Sequence, residues 1–131
     1  MLRVSTPLET AVEDVVHRTI GCCITSHREL GPGLIEIIYQ RAVEIELREA
    51  GLAYEREKPF PVCYRGRPLY VHRLDLVVEK QVVVELKAVE RLHPVHRAQA
   101  LSALRISGLR VALLINFNVP ILPDGIKRFV L

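Results

Sequence analysis

The chain has 131 residues, half of them hydrophobic, a formal charge of +3 and three cysteines, two of them adjacent. That length suits one domain spanning 1–131, able to bury about two thirds of the surface its unfolded form exposes, while apolar runs such as 111–115 are far too short to span a bilayer, so no membrane partner is expected. An odd cysteine count without a CxxC pair excludes a disulfide framework, a structural zinc site and an iron–sulfur cluster. With no apolar signal-peptide core between Met1 and Pro7, it points to reduced thiols in the cytoplasm.

Thr6-Pro7-Leu8-Glu9 predicts a helix start, with Thr6 as N-cap, Pro7 at the first helical position and Glu9 completing a capping box. Val12, Val15, Val16, Thr19, Cys22 and Cys23 then recur at spacings of three and four, a core-facing stripe that Gly31-Pro32-Gly33 ends. A second helix is expected over about 34–50, with Gly51 as its C′ residue. Strands are expected at 54–60 and briefly near 61–64, then a turn at Arg65-Gly66-Arg67-Pro68 and two further strands over 71–79 and 82–88. Pro94 opens a third helix with Ala98, Leu101 and Leu104 on one side, and Gly108 closes it. Residues 111–116 read as a buried strand, Pro120, Pro123, Asp124 and Gly125 as a loop, and 127–131 as a last edge strand. The order α, α, β, β, β, α, β, β predicts a mixed α/β layer. No Gly-rich phosphate loop follows a strand, which excludes Rossmann and P-loop folds.

The chemistry concentrates on the two central strands. Strict alternation puts His72, Leu74, Leu76 and Val78 on one face and Val71, Arg73, Asp75 and Val77 on the other; on the next run Val82, Val84, Leu86 and Ala88 oppose Val83, Glu85 and Lys87. Charges in an otherwise apolar strand are costly unless compensated. A divalent cation, Mg²⁺ or Mn²⁺, is the natural compensation, because it favours oxygen ligands and is often held by one or two carboxylates plus water and phosphate. Asp75 and Glu85 are the candidate ligands. Lys87, about 6–7 Å beyond Glu85 along a strand, could reach a metal-bound water or a phosphate oxygen. The competing reading is a surface hairpin with solvated Glu and Lys. For the carboxylates to converge most simply, Asp75 must lie opposite Glu85 with Glu79-Lys80-Gln81 as the loop, whereas a two-residue turn would turn them apart. Arg65, Arg67, His72 and Arg73 precede the acidic pair, and Lys87, Arg91, His93, His96 and Arg97 follow it, which makes phosphate a sensible ligand. Few aromatics argue against a single-strand stacking platform.

Gly31-Pro32-Gly33-Leu34-Ile35-Glu36-Ile37-Ile38-Tyr39 resembles the signature of the GxxExxY family, with Gly33, Glu36 and Tyr39 at its spacing. His27-Arg28-Glu29-Leu30, Arg73-Leu74-Asp75-Leu76, Glu85-Leu86-Lys87-Ala88, Gln99 and Leu114-Ile115-Asn116-Phe117 extend the likeness along nearly the whole chain. That family resembles the PD-(D/E)xK nuclease superfamily, which implies a restriction-endonuclease-like core of mixed sheet flanked by helices. It implies a magnesium-dependent nuclease acting on nucleic acid, expected to be DNA, with Asp75, Glu85 and Lys87 at the site. Glu36 would be an additional acidic metal ligand projecting from a helix, although the helix dipole alone would also favour an anion there. Gln99 would hold water or phosphate, and His27 is the weakest candidate, being equally suited to a helix cap. Leu74 stands where the superfamily's name has proline. Ala103 stands four residues after Gln99, where related nucleases often carry Tyr. The rival function is a non-catalytic nucleic-acid- or protein-binding module that keeps the nuclease fold. A homodimer is a further expectation, since an apolar composition supplies candidate contact faces.

Overall fold

The computed structural model describes residues 7–131. Thr6, the expected N-cap, lies outside the described residues. The first helix, α1, spans Thr10–Leu30 with an extended Glu9 as its N-cap, so Pro7 does not open it as expected. Tertiary contacts keep this lead-in extended: the Pro7 carbonyl accepts a hydrogen bond from Arg110 at 3.3 Å, and Leu8 packs against the core. The expected stripe of α1 is buried at Val15, Val16, Thr19, Cys22 and Cys23. At its end Gly31 takes φ 69° and donates its N–H to the His27 carbonyl, a left-handed backbone suited to glycine. Helix α2 covers Glu36–Glu49, and Gly51 follows it with positive φ, the C′ position expected of it.

Five strands follow: β1 (Tyr54–Tyr64), β2 (Arg67–Val78), β3 (Val82–Lys87), then, after helix α3 (Pro94–Ser107), β4 (Val111–Asn116) and β5 (Ile126–Val130). They form one sheet in the order β1-β2-β3-β4-β5. The β3/β4 pair is parallel and the rest are antiparallel, because α3 carries the chain back across the sheet between β3 and β4 as parallel pairing requires. β1 is one long strand where two short stretches were expected. Pro59 and Pro61 interrupt nothing, since β1 is an edge and a missing N–H on its outer side costs no ladder bond.

Apolar side chains fill both faces of the sheet. On one face α1 and α2 bury Val16, Cys23, Tyr39, Val43 and Leu47 against Leu76, Val78, Val82, Val84, Leu86 and residues of β4. On the other, Ala103 and Leu104 of α3 cover Leu74, Val77, Val83 and Ala112. Each aliphatic side chain so removed from water contributes about 1.5–3 kcal/mol, which is what holds the three helices to the sheet. The buried stripe of α3 is Ala100, Ala103 and Leu104, and the expected Ala98 is exposed; small side chains bring the helix close to Val83 and Ala112. No helix among the described residues is long and apolar enough to cross a membrane.

One departure from strict alternation positions the site. Leu74 was expected to share a face with Leu76, yet it packs with Val77 on the α3 side. The ladder between β1 and β2 runs Arg56↔Leu76 and then Lys58↔Leu74, without a pair at Glu57 and Asp75. Glu57 takes φ 53° there. The strands kink at this point, which turns Leu74 and Phe60 to the α3 side while Leu76 and Val78 keep to the other.

Candidate active site

The turn between β2 and β3 has the length the acidic pair requires. Pairs Val78↔Val82, Val77↔Val83 and Leu76↔Val84 leave Glu79-Lys80-Gln81 as the loop, with φ of 51° at Glu79 and 57° at Lys80 and the Gln81 N–H on the Val78 carbonyl at 3.0 Å. In that register Asp75 and Glu85 are the next opposed positions. The backbones have separated by then, and the Leu86 N–H donates to Asp75 Oδ2 at 3.0 Å. A carboxylate thus stands where a β2 carbonyl would continue the ladder.

Around this fork the charges sense one another. Glu85 is half-buried, but its Oε1 is shut off from solvent and has no hydrogen-bond partner. Burial, then the negative charge of Asp75, pushes its carboxyl up to about 8; Lys87 opposes this, while a hydrogen bond with Asp75 and the charge of Glu36 reinforce it. Glu36, first residue of α2, is also raised, by burial and then by Asp75 and Glu57, with Lys87 again opposing. Asp75, Glu85, Lys87 and Glu36 therefore form one electrostatic cluster. Like charges gathered at a partly buried point are what raise such carboxyls.

Glu57 belongs to the same cluster and was not anticipated. It sits on β1 opposite Asp75, and its only signal in the sequence is its register in a hairpin longer than the one expected. His96, near the start of α3, is another neighbour: burial, then the charges of Lys87 and His93, holds its imidazole below the usual range. Its Nδ1 accepts the His93 N–H at 3.0 Å, which fixes the proton on the other nitrogen when the ring is neutral.

Other motif residues are structural. The Tyr39 hydroxyl donates to the Gly31 carbonyl at 2.6 Å, accepts the Leu34 N–H at 3.1 Å, and its ring stacks on Phe117 at 4.7 Å. It closes the glycine turn that presents Glu36. His27 Nε2 meets the Val119 carbonyl at 2.8 Å, tying α1 to the chain after β4 rather than joining the acids. Asn116, paired with Lys87 across the β3/β4 ladder, binds both the N–H and the carbonyl of Val89, and so anchors the segment leaving the site. Gln99 is exposed on α3. Ala103 lies in the packed layer beneath α3, where a tyrosine would displace Leu74 or Val83.

Among the described residues, no three His, Cys, Asp or Glu side chains form a ready metal cluster. The donor set nevertheless fits a hard divalent cation, which commonly takes one or two carboxylates and completes its shell with water and phosphate; the orphaned Glu85 Oε1 is an oxygen lacking such a partner. A cleft of about 650 Å³ lies elsewhere, between α2 and β1, lined by Arg41, Glu44, Ile45, Arg48, Tyr54 and Arg56. The acid cluster is instead an open fork in the sheet.

No curated protein and no solved structure matches the chain. A family model does: the one described as the PD-(D/E)XK nuclease superfamily covers residues 13–129. Reaching from the first turn of α1 to the penultimate residue of β5, and meeting a mixed sheet between helices whose central strands separate at Asp75 and Glu85, that match makes the chain a member of the PD-(D/E)XK nuclease superfamily.

Proposed function

We propose that the protein hydrolyses phosphodiester bonds in DNA with the help of Mg²⁺ or Mn²⁺. The observation that carries this reading is the buried, unpartnered Glu85 oxygen beside Asp75, with Lys87 in the same field. A buried carboxylate oxygen without a partner is expensive, and a fold keeps one where a ligand supplies the partner. Asp75 and Glu85 would hold the cation, and Glu36 would add a third oxygen source from the start of α2. Bound there, the cation would supply Lewis acidity and a more acidic water. Lys87 orients the attacking water or a phosphate oxygen and offsets negative charge as the phosphorus–oxygen bond breaks. Gln99 reaches from the surface of α3 to position phosphate or water. Within the superfamily, the spacing of Gly33, Glu36 and Tyr39 supports a place in the GxxExxY family.

The test is a cleavage screen on duplex, single-stranded and branched DNA with Mn²⁺, beside Lys87→Ala. Cleavage that falls by about two orders of magnitude or more in Lys87→Ala is expected, the scale of losing one group that stabilises transition-state charge. Undiminished cleavage by that variant, or no Mn²⁺ binding by calorimetry, would sink the assignment. Mn²⁺ binding without cleavage of any of these substrates would favour the binding-module reading.

A further inference from the structure

Beyond the kink at Glu57 and Asp75 the β1–β2 hairpin leaves the sheet, for β2 pairs with β3 only from Leu76 onward. Residues 63–71 at its far end are exposed without exception. This arm ends in a two-residue turn, with φ 50° at Arg65 and 74° at Gly66. Over 58–73 it carries Lys58, Arg65, Arg67 and Arg73 and not one Asp or Glu, in a chain whose net charge is only +3. Lys58 is paired with Glu55 at 2.7 Å, and Arg73 leans on the Glu57 carbonyl. Arg65 lies over the Tyr64 ring at 5.5 Å. Tyr64, Leu69 and Tyr70 are 61%, 63% and 75% exposed, a large outlay of apolar surface at the tip of a ribbon whose Phe60, nearer the base, packs against the α3-side core.

We propose that this arm is a duplex-DNA-binding ribbon that lies in the major groove and places a backbone phosphate at the acid cluster from which the arm springs. The site it serves is that of the proposed nuclease, and the inference rests on that reading for the position of the reacting phosphate. Charge chooses the occupant. Arg65 and Arg67 complement phosphate, whereas a second copy laid on this face would bring cations against cations. The backbone agrees, since Pro59, Pro61 and Pro68 withhold N–H donors and so deter a strand of another protein from extending the hairpin. A two-stranded ribbon fits the B-form major groove, about 12 Å wide, while the narrow major groove of duplex RNA does not admit it. The exposed tyrosines suit sugar and base edges.

The experiment measures binding alone. Cys63 is exposed on the arm whereas Cys22 and Cys23 are buried, so a fluorophore on Cys63 reads the arm directly. Labelled protein in EDTA is titrated with a 30-base-pair DNA duplex, the same sequence as single strand, and duplex RNA, over a salt series. The expected result is a signal change with duplex DNA at concentrations where RNA gives none. In Arg65→Ala/Arg67→Ala, affinity should fall about tenfold and the log–log salt slope by about 2, with Arg65→Lys/Arg67→Lys restoring most of both. Unchanged duplex binding by the alanine pair overturns the proposal. Equal binding of duplex RNA or single strand overturns the groove placement, and a dimer in sedimentation that Tyr64→Ser/Tyr70→Ser dissolves while DNA binding persists assigns the arm to a protein contact instead. Because EDTA suppresses cleavage, arm-dependent duplex binding by a protein that never cleaves supports the arm while removing the nuclease reading.

Discussion

Glu85 is where chemistry and stability pull in opposite directions. Its carboxyl titrates at about 8 in the folded protein against about 4.3 for an unhindered glutamate. The folded state therefore holds this proton more tightly than the unfolded state does, and between those two values stability falls as pH rises. The contribution is present at pH 4 and lost by about pH 8, on the order of a few kcal/mol at most, because the group is only partly buried. Glu85→Gln keeps the neutral shape without the titration. In metal-free thermal melts its melting temperature should exceed the parent's by several degrees at pH 8 and match it only near pH 4; a lower melting temperature at pH 8 would make Glu85 half of a structural ion pair. Asp75, Glu85 and Lys87 were legible as residues because charges interrupt apolar runs, and Glu36 through its place in a recognisable motif. Glu57 was not, and Asn116 was legible as part of a motif but not in its anchoring role. Glu57 enters the cluster through a kink in two strands at once, and Asn116 works through bonds to Val89, distant in sequence.

Among elements, those with a strong period were the legible ones. α1, α2, β3 and β4 show theirs plainly, and the loop at residues 79–81 follows from where the valines must pair. The hairpin arm and the packing face of α3 obey other rules. Edge prolines read as breaks although an edge strand tolerates them, and the α3 face is drawn by small alanines that leave little hydrophobic signal. The segment after β4 is constrained more tightly than its loop-like composition suggests. A Cβ on Gly125 would stand 2.2 Å from the Asn116 carbonyl oxygen and 3.2 Å from Val119 Cγ2. Gly125→Ala should therefore cost about 1–3 kcal/mol in a denaturant melt, the usual scale of overpacking against backbone, and lower any cleavage too, since Asn116 is the partner of Lys87 in the ladder. A loss under about 0.5 kcal/mol would mean that the turn yields freely.

At the scale of the whole molecule, much of the apolar composition fills two cores, one on each face of the sheet, while Ile35, Ile37, Ile45, Leu69 and Tyr70 among others stay exposed. The fork between β2 and β3 has its own signature in the exchange of backbone hydrogens with solvent. The Leu86 amide has no backbone acceptor on β2; Asp75 Oδ2 closes that gap, so this one proton should exchange as slowly as those of the paired strands. Asp75→Asn retains an oxygen for it and should leave the rate nearly unchanged, whereas Asp75→Ala should speed it by about an order of magnitude, the cost of roughly one hydrogen bond, with Val84 unaffected. Acceleration spread evenly over β3 would instead mean that Asp75 braces the sheet at large. A single amide thus separates the bond that closes the fork from the charge that would serve its chemistry.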